Sequence, residues 1–272
     1  MIAADWISWT SLAVVIAGFG SGILAAIVGV GGAVLTTPFI RFLGATPLSA
    51  VGSTVPAILP GALSGTIRYA REGLVEWRIA WTCGFSGVLF AIVGALLAGV
   101  VNAGYLMIAT ATLVLWSGAS LLRTAGREGR IPAGMSGDGE DREVTAPALR
   151  DSLVNLVGLG IVAGFLAGLL GIGGGLVLTP GLSVGVRLPM RRAIATSLVA
   201  VMLMSVTSLA THWYKGHIDW RFALPLAIGI VPGARLGSRI TVAASDLTMR
   251  RVCGALFVVL GSIYLVREII AL

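Results

Sequence analysis

The sequence predicts an all-α polytopic membrane protein built from two homologous halves in inverted topology, each with a glycine-broken re-entrant segment and about three transmembrane helices. Three observations predict it: an apolar composition with long uncharged runs, an internal repeat, and a glycine cluster at the same place in each repeat. Of 272 residues, 57% are apolar and 11% charged, whereas a soluble domain is about 25% charged. The runs Trp81–Val101, Leu106–Leu122 and Ile194–Leu209 approach the roughly 20 residues that cross a hydrocarbon core. The 38 glycines are spread through the apolar segments, which suits close packing of helices in lipid.

The repeat is read by sliding the chain against itself. Gly18–Pro38 lies over Gly160–Pro180 at an offset of 142, and after one inserted residue the register continues at 143. At that second offset Ala50-Val-Gly-Ser-Thr54 lies over Ala193-Ile-Ala-Thr-Ser197, and Gly73-Leu-Val-Glu-Trp-Arg78 over Gly216-His-Ile-Asp-Trp-Arg221. Residues 1–122 thus form a first transmembrane repeat and residues 151–272 a second. The intervening stretch 123–150 is polar and mixed in charge, and reads as a solvated cytoplasmic linker.

Each half opens with a long segment, 12–43 or 153–186, that is too long for one crossing and too short for two helices and a turn. Gly29-Val-Gly-Gly32 and Gly171-Ile-Gly-Gly-Gly175 interrupt these segments, with Pro38 and Pro180 following. The remaining spans are 47–67, 79–101 and 103–122, then 189–212, 220–240 and 248–270. Charge chooses the topology. If the broken segments cross, the 19 Lys and Arg residues divide almost evenly between the two sides. If they turn back, all but Arg41, Lys215, Arg221 and Arg267 collect on one side, as cytoplasmic loops do. Three crossings per half then invert the second half relative to the first, the plan of many secondary transporters. The N-terminus has no Lys or Arg before Arg41, so the first segment is expected to remain in place as a span rather than leave as a signal peptide.

Broken helices at membrane depth leave backbone groups without helical partners, which is tolerated where they line a cavity or are buried in protein. New helices begin near Ala33 and Leu176, and helix N-termini favour anions. The expected ligand is a small anion between the breaks. Its candidate contacts are Gly31, Gly32, Gly173, Gly174 and Gly175, with the hydroxyls of Ser53, Thr54, Thr196 and Ser197; Thr37 and Thr179 are further donors. The competing assignment is structural: glycines for helix packing, and hydroxyls bonded to the preceding turn or bridging helices.

Other residue classes narrow the function. No acidic residue sits at the centre of an apolar run, which argues against a cation pathway or carboxylate proton relay. Cys83 and Cys253 have no partner at metal or redox spacing and read as small core residues. No metal site or cofactor is expected, and no phosphate-binding Gly-Lys-Ser/Thr loop is present. The formal charge of +7 is scattered singly, which suits topology rather than nucleic acid. His212 and His217 flank Trp213, Tyr214 and Lys215 and read as interfacial anchors, as do Trp77-Arg78 and Trp220-Arg221. Arg235 and Arg239 read as snorkelling anchors, with a vestibule role for Arg235 as the alternative.

The duplicated glycine motifs, with Pro38 and Pro180 and the paired hydroxyl dipeptides, resemble the sulfite exporter TauE/SafE family, also called TSUP, over about residues 12–270. Ala33 departs from the pattern where the second half has Gly175. The resemblance implies an inner (plasma) membrane protein, multi-pass and not an enzyme. It implies a secondary transporter, most often an exporter, of sulfite, sulfonates such as sulfoacetate, or related organic acids, by alternating access. A passive anion channel of the same architecture is the alternative, and a homodimer is compatible with such a fold.

Overall fold

The computed structural model describes residues 9–98, 100, 103–128, 148–171 and 173–271. These form helices α1 (Trp9–Val28), α2 (Ala33–Phe42), α3 (Pro47–Arg71), α4 (Trp77–Ala98), α5 (Ala103–Glu128), α6 (Ala148–Leu170), α7 (Gly175–Pro180), α8 (Met190–Tyr214), α9 (Trp220–Ala243) and α10 (Asp246–Ala271). A π-helical turn, Gly181–Gly185, continues α7. Among the described residues, seven helices are long and apolar enough to cross a membrane. The edges of the expected linker, 123–150, are helical. Helix α5 runs on to Glu128 and α6 begins at Ala148, because Leu121-Leu-Arg-Thr-Ala125 and Ala148-Leu-Arg are good helix formers; residues 129–147 lie outside the described part.

Each long first segment is a full-length helix, a glycine break and a short second helix. Ser21 of α1 donates its hydroxyl to the Gly32 carbonyl at 2.6 Å, so Gly32 lies level with a point two turns before the end of α1. Further back, Val14 of α1 and Ile40 of α2 share one buried cluster. The second half repeats this, with Leu156 of α6 and Leu182 after α7 in one cluster. A capping side chain opens two of the later helices: Thr46 accepts from Ser49 N–H at 3.3 Å and Asp219 from Arg221 N–H at 2.9 Å.

The halves are interlaced. Helix α1 packs along α9 and α6 along α4, so each half's first helix lies against the other half's fourth; α5 pairs with α10. Glycine permits the two mixed contacts. A Cβ at Gly22 would come within 2.9 Å of the Ala234 backbone nitrogen in α9, and one at Gly94 within 2.7 Å of Leu169 N in α6. Such separations leave room for hydrogen only, and close approach is how helices attract one another in lipid. Helices α3 and α8 occupy the middle, with 72% and 67% of their span windows buried against 39–44% for the other spans.

Candidate functional site

Both breaks have the same backbone. Gly29, Gly31 and Gly32 have φ of 79°, 81° and 91°, and Gly171, Gly173 and Gly174 have 66°, 84° and 71°. These left-handed values are routine for glycine and strained for other residues, which accounts for three glycines in each motif. Gly32 and Gly174 then lead into α2 and α7. The breaks touch: a Cβ on Gly175 would stand 2.7 Å from Val30 Cα, and one on Gly173 3.2 Å from the Val30 carbonyl oxygen.

Two central-helix residues close over this contact. A Cβ at Gly31 would lie 2.8 Å from Ile58 Cγ2 of α3 and 3.1 Å from Val201 Cγ1 of α8. From Gly173 the corresponding distances are 3.0 Å to Val201 Cγ1 and 3.6 Å to Ile58 Cδ1. Ile58 and Val201 are equivalent at the 143 offset and are both almost wholly buried. Two aliphatic side chains therefore pack against the paired breaks. Their position was readable from the repeat, but nothing in their chemistry singles them out.

The structure brings two of the candidate hydroxyls, Ser197 and Thr179, to the first break. Ser197 donates towards the carbonyls of Gly29 at 3.1 Å and Ile194 at 2.9 Å. Thr179 donates towards the Val28 carbonyl at 3.0 Å and lies 2.9 Å from Ser197 Oγ. Second-half hydroxyls thus hold carbonyls freed at the first-half break. The mirror arrangement is looser: Thr54 turns to Val51 O in its own helix at 2.8 Å, and the buried Thr37 hydroxyl has no partner among the described residues.

Ser53 and Thr196 do something else. Ser53 Oγ accepts the Asp219 N–H at 2.8 Å, and Thr196 Oγ1 accepts the Glu76 N–H at 3.1 Å. Both bonds pin the loop before the other half's fourth helix, and each leaves the hydroxyl proton unused by that bond. The bonds also fix direction. The start of α3 lies level with the α8–α9 loop, and the start of α8 lies level with the α3–α4 loop.

Charges sit at the ends of this arrangement. Arg192 Nη1 meets Glu76 Oε1 at 2.6 Å and Arg191 Nε meets Asp246 Oδ1 at 2.9 Å. Near the opposite end of α3, a depression of about 390 Å³ is lined by Ser49, Asp219, Trp220 and Arg221, among others. Arg235 and Arg239 are exposed, as expected of anchors, while their neighbours Gly233 and Gly237 face α1 backbone. His212 departs from expectation: it is 0% exposed, because the helical period turns it inward while Trp213 and Tyr214 face out.

A family model described as sulfite exporter TauE/SafE matches residues 14–264. The chain belongs to the sulfite exporter TauE/SafE family. TauE/SafE-family relatives extend over nearly its whole length. A Bacillus subtilis protein described as "Probable membrane transporter protein YunE" is 26% identical, covering 91% of this chain and 94% of the relative. A "Probable membrane transporter protein" of Xylella fastidiosa is 29% identical over 92% of this chain and 90% of its own. The protein MJ0441 of Methanocaldococcus jannaschii, described in the same words, is 28% identical over 91% and 92%. No solved structure matches the chain significantly. Membership of a membrane transporter family accounts for the apolar helices.

Proposed function

We propose that this TauE/SafE-family protein is a secondary transporter, acting as an exporter, that carries a small anion such as sulfite or a sulfonate across a bacterial-type inner membrane. The observation that carries the reading is the contact between two equivalent glycine breaks under Ile58 and Val201. Each break leads into a short helix, and the bond from Ser21 sets Gly32 beside α1, which supports re-entrant segments meeting from opposite faces. The antiparallel pairing of α3 with α8, through Ser53 with Asp219 and Thr196 with Glu76, supports inversion of the second half.

Gly31, Gly32, Gly173, Gly174 and Gly175 would supply backbone N–H groups to the anion, and Ser53, Thr54, Thr196 and Ser197 hydroxyl protons. In the closed conformation Thr54 and Ser197 are turned to backbone carbonyls. Binding therefore requires α3 or α8 to withdraw, exchanging a carbonyl for the ligand at those hydroxyls. Alternating access then amounts to Ile58 and Val201 parting towards one side and closing towards the other.

The test is uptake of labelled sulfite and sulfoacetate into proteoliposomes containing the purified protein. The reading predicts saturable flux that is accelerated by the same anion loaded on the far side. Flux that rises linearly with concentration and shows no exchange would instead indicate the channel alternative. No flux of either anion by intact protein would remove the substrate assignment.

A further inference from the structure

His212 stands where the repeat places Tyr69. Tyr69 donates its hydroxyl to the Ala26 carbonyl of α1 at 2.6 Å, fixing the end of α3 to the first helix. In the second half the equivalent carbonyl is Gly168 of α6. The His212 imidazole interacts with the Gly168 backbone, and its buried Nε2 has no hydrogen-bond partner among the described residues. A phenol in one half is thus replaced by an imidazole, an ionisable group, in the other.

The other ring nitrogen is committed. His212 Nδ1 lies 3.3 Å from His217 Nδ1, a distance at which one nitrogen carries hydrogen and the other accepts it. The rings are 5.5 Å apart at 57°. His217 also donates its backbone N–H to the His212 carbonyl at 3.0 Å and presses against α3, where a Cβ at Gly52 would meet its carbonyl oxygen. Two residues on, Asp219 N–H is bound by Ser53. The pair therefore sits in the hinge between the end of α8 and a loop stapled to α3.

We propose that His212 and His217 form a pH-sensitive latch: the α8–α9 loop stays seated on α3 while the uncharged rings share the hydrogen between their Nδ1 atoms, and protonation of both rings releases it. Charging both would set two cations about a hydrogen-bond length apart, with Lys215 as a third on the same loop. Of the elements packed against the pair, α3 presents Gly52 and Ser53, and α6 the Gly168 carbonyl. The Asp219 carboxylate is engaged in capping α9. Neighbouring charge and burial act in the same sense on His217, where desolvation first and Lys215 second push the imidazole below its usual range. A lowered folded value means that the seated loop is favoured above the ordinary histidine pKa of about 6.5 and loses that support as pH falls below it.

The experiment is amide hydrogen exchange of the full-length protein in lipid nanodiscs, at about pH 7.5 and about pH 5, corrected for intrinsic chemistry and read over residues 213–222. The seated loop should open about tenfold more often at the lower pH, the effect of one pKa unit of coupling. His217→Gln, which keeps a polar side chain on a part-buried site, should abolish the pH dependence; His212→Tyr, borrowing the residue of the first half, should weaken it, because His217 keeps the desolvation and the Lys215 charge that act on it. Equal exchange at both pH values in the unaltered protein would overturn the site, as would an undiminished pH effect in His217→Gln. The readout involves no substrate, so failure here leaves the carrier assignment intact, and failure of anion uptake leaves this site intact.

Discussion

Ser53 Oγ accepts the backbone N–H of Asp219 at 2.8 Å, and the bond is repeated by Thr196 and Glu76 at 3.1 Å. Each member of one pair lies 143 residues from its counterpart in the other, so one hydroxyl position serves twice to tie the start of a central helix to a loop of the opposite half. The two bonds make the interlacing of the halves a property of side chains rather than of helix packing alone.

Removing either hydroxyl leaves a part-buried N–H without its partner, at about 1–3 kcal/mol. Ser53→Ala and Thr196→Val should each lower the thermal midpoint of the purified protein. The two loops are far apart, so the double variant should show the sum of the single effects. A pair of variants with unchanged midpoints would mean that water replaces the hydroxyl without cost.

Glycines at the mixed helix contacts should be far less tolerant than glycines on the outside of the same helix. Gly22→Ala puts a methyl against Ile230 and Ala234 backbone, whereas a methyl at Gly20 meets nothing within 4 Å. Overpacking of this kind costs about 1–3 kcal/mol, while an alanine in an open helical position is neutral or favourable by up to about 1 kcal/mol. Thermal denaturation of the two variants side by side reads the difference, and equal midpoints would contradict the packing described between α1 and α9.

Ser197→Ala should loosen the first break specifically. It removes the donor to Gly29 O and the neighbour of Thr179, with an expected loss of about 1–2 kcal/mol. Faster amide exchange at residues 29–32 than at 171–175 would locate the effect. The comparison variant Thr54→Val should disturb its own helix only, because Thr54 bonds within α3.

The Arg192–Glu76 ion pair is part-exposed, with side chains 37% and 31% accessible. Such pairs contribute less than about 1 kcal/mol and are screened by salt. Arg192→Gln should therefore shift the thermal midpoint little, and the shift should shrink as salt is added. A large, salt-independent loss would show that this pair does more than stabilise the α3–α4 loop.

Much of the fold was legible in the sequence because lipid permits few solutions. Apolar runs fix where helices lie, and the breaks at Gly29–Gly32 and Gly171–Gly174 follow from glycines that adopt left-handed backbone. The repeat offset names equivalent residues, yet it cannot say which half each will pack against; α1 on α9 and α6 on α4 depend on surface shape along whole helices. The hydroxyls of Ser53 and Thr196 were legible as paired positions, whereas their partners, backbone N–H groups more than 100 residues away, carry no sequence signal. The aromatic neighbours of His212 suggest an exposed anchor, whereas the helical period turns its side chain inward. Its alignment with Tyr69 was the available clue to its burial.

The most direct measurement of the central claim is a reversible cross-link across the paired breaks. Ile58→Cys/Val201→Cys, with Cys83 and Cys253 replaced by alanine, places two thiols on the side chains that meet over Gly31 and Gly173. Oxidised protein in proteoliposomes should lose sulfite exchange and regain it on reduction. Undiminished exchange in fully cross-linked protein would contradict a translocation path between the breaks.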